Sequence, residues 1–172
     1  MPTAYTDQFW VLDPFAPPPV GTTLTVVSFE IIDQNDNNLI NQFSGDSVDG
    51  VDIVASYPGD TVSVDLTGGG SITVTGTTFY LADGRQVFTP TDGTVLETAT
   101  FTGSSFVTTQ GPLEVGDLGP PCFTSGTLIE TPTGQKSVET LREGDTVSGY
   151  EGEELILRKV LRRAISARDL AI

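Results

Sequence analysis

Histidine is absent from the 172 residues, cysteine occurs once, and 8 basic residues face 23 acidic ones. The first absence excludes a histidine general base, a Ser-His-Asp triad within the chain and imidazole metal ligation. A single thiol excludes an internal disulfide and a cysteine zinc site. A formal net charge of −15 repels phosphate backbones, so no nucleic acid partner is expected. No apolar run approaches the ~20 residues needed to cross a bilayer, so no transmembrane segment is expected. The opening Met1-Pro2-Thr3-Ala4 lacks the basic and then apolar start of an ordinary signal peptide.

What charge there is falls unevenly. Residues 1–121 hold 15 acids and one base, Arg85, whereas residues 122–172 hold 8 acids and 7 bases. The break coincides with Gly119-Pro120-Pro121, a rigid stop. Three regions are therefore expected: an extended Pro-rich segment over 1–20, an acidic Thr/Gly/Asp-rich β domain over 21–118, and a distinct unit over 119–172.

The middle region reads as all-β, a sandwich or barrel-like arrangement. Thr61–Leu66 alternates polar and apolar, and so does Ser71–Thr75, with Gly68-Gly69-Gly70 between them. That is a hairpin signature. Phe79–Leu81 and Arg85–Phe88 flank Asp83-Gly84, another short-turn signal, and a further turn over Thr89–Gly93 precedes Thr94-Val95-Leu96. Leu24–Ile32 and Ser105–Thr109 complete the expected strands. One loop, Asp33-Gln34-Asn35-Asp36-Asn37-Asn38, is a candidate calcium site. Asp33, Asn35 and Asn37 place oxygens at positions 1, 3 and 5. Asn38 stands where an EF-hand has glycine and Ser44 where it has a bidentate Glu; Asp46, Asp49 and Asp52 are alternative carboxylates. The competing reading is a solvated turn, which Asn and Asp favour on their own account. Apart from this candidate Ca²⁺, no cofactor is expected.

From Cys122 onward the pattern becomes specific. Thr127–Thr131 reads as a strand, Pro132-Thr133-Gly134 as its turn, Gln135–Val138 as the return, and Glu139–Arg142 as a tight bend closed by Gly144-Asp145, after which Thr146-Val147 restarts a strand. Cys122-Phe123, Gly126-Thr127, the Pro132/Gly134 turn and Val138-Glu139-x-Leu141-x-x-Gly144-Asp145-x-Val147 closely resemble the start of a Hint domain, the self-processing module shared by hedgehog proteins and inteins. The approach to it, Thr77–Gly93 and Gly116–Cys122, resembles a bacterial family in which an N-terminal β region leads into such a domain.

The resemblance implies the first strands of a horseshoe-shaped β module and chemistry at one bond. Cys122 would be the nucleophile and the Pro121 carbonyl its target, giving a thioester by an N-to-S acyl shift. Phe123, Gly126, Thr127, Gly134, Val138, Leu141, Gly144 and Asp145 would build the module around it. The family's later Thr-x-x-His block and terminal His-Asn have no counterpart here, since the chain has no histidine and reaches Ile172 51 residues into the module. The module is therefore expected to be incomplete, to be at most a single-turnover catalyst, and to lack its proton donor. A second chain completing it, as in a split intein, is one expectation. A secreted or surface β-rich binding protein with an inert Hint remnant is the other. Acidity and abundant Thr and Gly point to the exterior or surface of a bacterium.

The tail is open to two readings. Leu157, Val160, Leu161, Ala164 and Ile165 fit an amphipathic helix. The family resemblance implies a strand over Leu155–Leu161 and a helical turn over Ser166–Leu170.

Overall fold

The structure, a computed structural model, describes residues 1–119, 125–149, 152–157 and 160. The chain divides into two compact units, Met1–Pro121 and Cys122–Ile172. Among the described residues the architecture is all-β, relieved by two single 3-10 turns, Val115–Asp117 and Val138–Thr140. No helix among them is long and apolar enough to cross a membrane.

Ten strands build the first unit: β1 (Thr3–Val11), β2 (Thr23–Leu24), β3 (Val27–Asp33), β4 (Leu39–Ile40), β5 (Ser47–Val48), β6 (Val51–Leu66), β7 (Ser71–Leu81), β8 (Gln86–Pro90), β9 (Ala99–Ser105) and β10 (Leu113–Glu114). The two longest, β6 and β7, are joined across the glycine turn. Gly69 and Gly70 take φ of +92° and +91°, a region that costs glycine little. The Leu66 N–H donates to the Gly70 carbonyl at 2.9 Å. All pairings are antiparallel, and β7 bonds both β6 and β8, so that β6-β5-β3-β1-β8-β7 closes into a ring. β9 pairs with Thr61–Leu66 of β6 and carries β2 on its far edge.

Two apolar cores follow from this closure. Phe9, Ile31, Val48, Ile53, Phe79, Leu81 and Val87 come from all six ring strands and fill one core, joined by Ile40 of β4 and Leu113 of β10. Trp10, Val62, Val64, Val74, Phe88 and Phe101 form the other with Leu12, Leu24, Leu96 and Ala99. Phe9 and Trp10 are chain neighbours, as are Val87 and Phe88. Successive strand side chains face opposite ways, so β1 and β8 are buried on both faces. The packing leaves no room at Gly76: a Cβ there would stand 2.6 Å from the Phe88 ring and clash with the Thr89 carbonyl.

The turns expected at Gly68–Gly70 and Asp83-Gly84 are present. Other expectations change. Residues 1–20 are not an extended segment outside the β domain, because Thr3–Val11 is a central strand paired with β3 and β8. Leu24–Ile32 breaks into β2 and β3, since Leu24 serves one core while Val27 onward pairs with β1. The last long strand is Ala99–Ser105 rather than Ser105–Thr109. Ala99 and Phe101 supply its buried face, and Val107 leaves the ladder to donate its N–H to Asp60 Oδ1 at 2.8 Å. Thr94–Leu96 is irregular.

Candidate functional site

The second unit is built from two small hairpins. β11 (Leu128–Ile129) pairs with β12 (Lys136–Ser137) in the register Leu128↔Ser137 and Ile129↔Lys136. Its turn is closed by the Gly134 N–H on the Thr131 carbonyl at 2.9 Å, and by the buried Thr131 hydroxyl on the Gly134 carbonyl. Gly134 sits at φ +104°, which explains glycine at that place. The strands are shorter than the Thr127–Thr131 and Gln135–Val138 expected, because Val138 turns into the 3-10 bend. Leu141, 4% exposed, ends that bend, its N–H donating to the Val138 carbonyl at 3.2 Å. Asp145 closes the next turn, its Oδ2 accepting the Arg142 N–H at 2.9 Å. β13 (Thr146–Ser148) then pairs with β14 (Glu154–Ile156). The Ser148 N–H on the Glu130 carbonyl, 2.9 Å, ties the hairpins together. β14 agrees with the start of the strand expected over Leu155–Leu161. Most of the rest of that strand, the alternative helix and the Ser166–Leu170 turn lie outside the described residues.

Of the residues singled out in the sequence, Pro121, Cys122 and Phe123 also lie outside the described residues. Within the second unit, hydrogen bonds join the start of the motif to its middle. The Thr127 carbonyl accepts the Val138 N–H at 2.8 Å. Gly126, four residues past Cys122, donates its N–H to Glu139 Oε2 at 3.0 Å. That hydrogen bond, before smaller contributions, holds the Glu139 carboxyl below its ordinary range.

The upstream side has a counterpart within the first unit. Asp7 of β1 is 5% exposed and accepts the Thr89 hydroxyl at 2.6 Å on Oδ2. Burial pushes its pKa up, while the Thr89 hydroxyl and the backbone N–H groups of Gln8 and Gly119 hold it partly back. Gly119 is three residues before Cys122. A carboxylate therefore grips a glycine N–H on each side of the Pro121–Cys122 bond, each within its own unit. Neither Asp7 nor Glu139 was singled out as a site residue from the sequence. The available signals were the position of Glu139 inside the motif, and an acid at the core-facing parity of Tyr5-Asp7-Phe9 in β1.

Residues 121–172 match the family model for the Hint domain. The match covers the last 52 residues of 172 and begins at the residue before Cys122, so the chain contains a Hint-domain segment. No curated protein and no solved structure matches the chain.

The acidic loop after β3 is held by its own carboxylates. Asp33, fully buried, accepts the N–H groups of Asp36 (2.8 Å), Asn37 (3.3 Å) and Asn38 (2.8 Å). Asp46, also fully buried, accepts those of Gln34 and Asn41, both at 2.9 Å. The Asn35 amide donates to the Ser44 hydroxyl at 2.9 Å, and Asn37 Oδ1 accepts the Leu39 N–H at 3.0 Å. The left-handed residues Asp36 and Asn38, at φ 60° and 63°, are of the types that tolerate that region.

Proposed function

We propose that the chain is a folded β domain joined to a self-processing Hint segment, with Pro121–Cys122 as the processing junction. The observation that carries this reading is the Hint match beginning at residue 121, one residue before the only thiol of the chain; the nucleophile's role is assigned to that thiol by this proposal. The division of the chain into two compact units at the same bond supports it. In the reaction, the Cys122 thiolate attacks the Pro121 carbonyl carbon. The C–N bond then breaks, and the Cys122 nitrogen leaves as an amine after taking up a proton. The Pro121 acyl group is left on sulfur as a thioester. Water or a second nucleophile attacks that thioester, leaving a carboxylate or new acyl bond at Pro121 and restoring the thiol.

The step this chain supplies poorly is protonation of the leaving nitrogen, because no imidazole is present. Loss of a general acid costs about 10²–10⁴ in rate. Processing by these residues alone is therefore slow to undetectable, and a partner supplying the acid would restore it. A second reading, favoured by the closed ring and two cores of the first unit, is a β-rich binding protein whose Hint segment is inert.

Intact-mass analysis at neutral pH with dithiothreitol separates these readings, using Cys122→Ala as control and a high concentration of imidazole as a diffusible proton donor. The expected result is full mass without imidazole, and with it a fragment ending at Pro121 from the unaltered chain only. That fragment without imidazole would overturn the need for an added donor. Full mass in every sample would overturn the junction and leave the inert segment.

A further inference from the structure

Away from the junction, the first unit carries a cavity of about 270 Å³, below the ~300–1,000 Å³ typical of drug-sized ligands and suited to a small head group. Two edge-to-face aromatic pairs line it. Phe15 and Phe106 have ring centroids 4.8 Å apart, and Tyr57 and Tyr80 5.4 Å apart. Phe15 and Phe106 are 64% and 46% exposed, so their rings are open to a ligand. A register shift in the β6–β7 ladder between Pro58 and Asp60, with Gly59 at φ +102°, turns the chain beside the cavity. Bulges of this kind re-aim side chains, and here Asp60 lines the cavity while only 2% exposed. Asp60 Oδ1 accepts the Val107 N–H at 2.8 Å. Behind the lining, the Tyr80 hydroxyl donates to Asp13 Oδ1 at 2.6 Å.

The two carboxylates act on the same phenol. Burial first, then its hydrogen bond to Asp13 and the charges of Asp13 and Asp60, drive the Tyr80 pKa far upward. Burial likewise pushes Asp60 up, with the Asp13 charge adding to it. No cation offsets them within the unit. Its one base, Arg85, is held by Asp83 at 2.7 Å and Asp49 at 2.9 Å, and no ion pair joins Asp13 or Asp60 to a base among the described residues. The lining offers aromatic rings, carboxylate and the Thr108 hydroxyl, with no amide, Lys or Arg side chain. A sugar's hydroxyl oxygens would find only the Tyr57 and Thr108 hydroxyls as uncommitted side-chain donors in the lining. An organic cation needs none, and is attracted both by ring faces within ~6 Å and by uncompensated negative charge.

We infer that this cleft binds the head group of a quaternary or methylated ammonium compound, its charge met by Asp60, with Asp13 adding its charge from behind Tyr80, and its methyl groups by Phe15, Tyr57, Tyr80 and Phe106. Calorimetric titration of the full chain with choline tests it, beside the neutral isostere 3,3-dimethylbutan-1-ol and the disaccharide maltose. Saturable binding of choline and none of the alcohol or sugar is expected. Tyr57→Ala and Phe106→Ala should each weaken choline by about 2- to 30-fold, the range of one cation–π contact, and Asp60→Asn should weaken it further. Phe106 is exposed, so its variant keeps the fold. Equal binding of the alcohol, binding of maltose at the same residues, choline binding unchanged in all three variants, or no saturation by ~10 mM choline, where affinity is too weak for a specific site, would each overturn the inference.

Discussion

The two units are held together by different means. Nearly every buried hydrophobic side chain among the described residues belongs to the first unit, and Leu141 alone belongs to the second. The first unit has long strands, a closed ring and two cores. The second has strands of two or three residues, turns stapled by Thr131, Glu139 and Asp145, and exposed Leu128, Leu155 and Ile156. The fraction of surface a chain buries rises with its size, so a small unit has less apolar burial to draw on. A unit of the second kind is shaped by its turn hydrogen bonds more than by its core, and further apolar surface would add to its stability.

This contrast can be broken at its strongest point first. Phe79→Ala opens a cavity in the ring core and should cost about 3–5 kcal/mol, read as a fall in the urea midpoint of Trp10 fluorescence. The only tryptophan lies in the first unit, so that signal reports on it. Leu141→Ala should leave the same midpoint unmoved while the amide resonances of Gly126 and Val138 lose their dispersion; a shift of both together would show that the units do not melt separately. Gly76→Ala should cost about 1–3 kcal/mol by overpacking against Phe88. A neutral outcome there would mean that the β7–β8 backbones can separate. In the acidic loop, Asp46→Ala strands two backbone N–H donors and should cost about 1–3 kcal/mol, the penalty of an unmet buried polar group.

Acid should act on the two units with opposite sign. Asp7 and Asp60 have folded pKa values above the ordinary 3.8, so the fold binds their protons more tightly than the unfolded chain does. Their effect on stability is therefore a gain as pH falls through the raised values, complete below 3.8. Glu139 has a folded pKa below 4.5. Its contribution is present above 4.5 and is lost as pH falls through the lowered value. On acidification toward pH 4.5 the Trp10 midpoint should rise, and less so in an Asp7→Asn/Asp60→Asn double variant. At lower pH the Gly126 amide resonance should move first. Glu139→Gln should remove that movement, the smallest of the expected effects, since the carboxylate is exposed to solvent.

Much of the fold was legible where strands are half-buried. Val62, Val64 and Val74 alternate with polar residues, and the glycines between them take the backbone angles a tight turn requires. Legibility failed where both faces are buried. β1 carries Phe9 and Trp10 side by side, and β8 buries Val87, Phe88, Thr89 and Pro90 in succession, so the period-two signal vanishes. The Thr-rich stretch around β9 misled for the opposite reason: many positions suit a strand, and only Ala99 and Phe101 decide which do pair. The Hint motif was readable because its glycines and Asp145 mark turns with fixed geometry. The grip of Asp7 on Gly119 was not, because it joins residues far apart in sequence whose only common signal is an acid at a core-facing position.

The ring closure also sets an order of events during synthesis. β1 is made first but has no permanent neighbour on its β8 side until residues 86–90 exist, and β10 ends at Glu114. Every strand of the first unit is therefore available before Cys122 is translated. At about 5–20 residues per second, the 51 residues from Cys122 to Ile172 occupy the ribosome for roughly 3–10 s. The barrel has at least that interval to close, and among the described residues its ladders use no strand residue beyond the junction. A chain cut at Pro121 would leave the β ladders of the first unit intact, so the released product should emerge already folded.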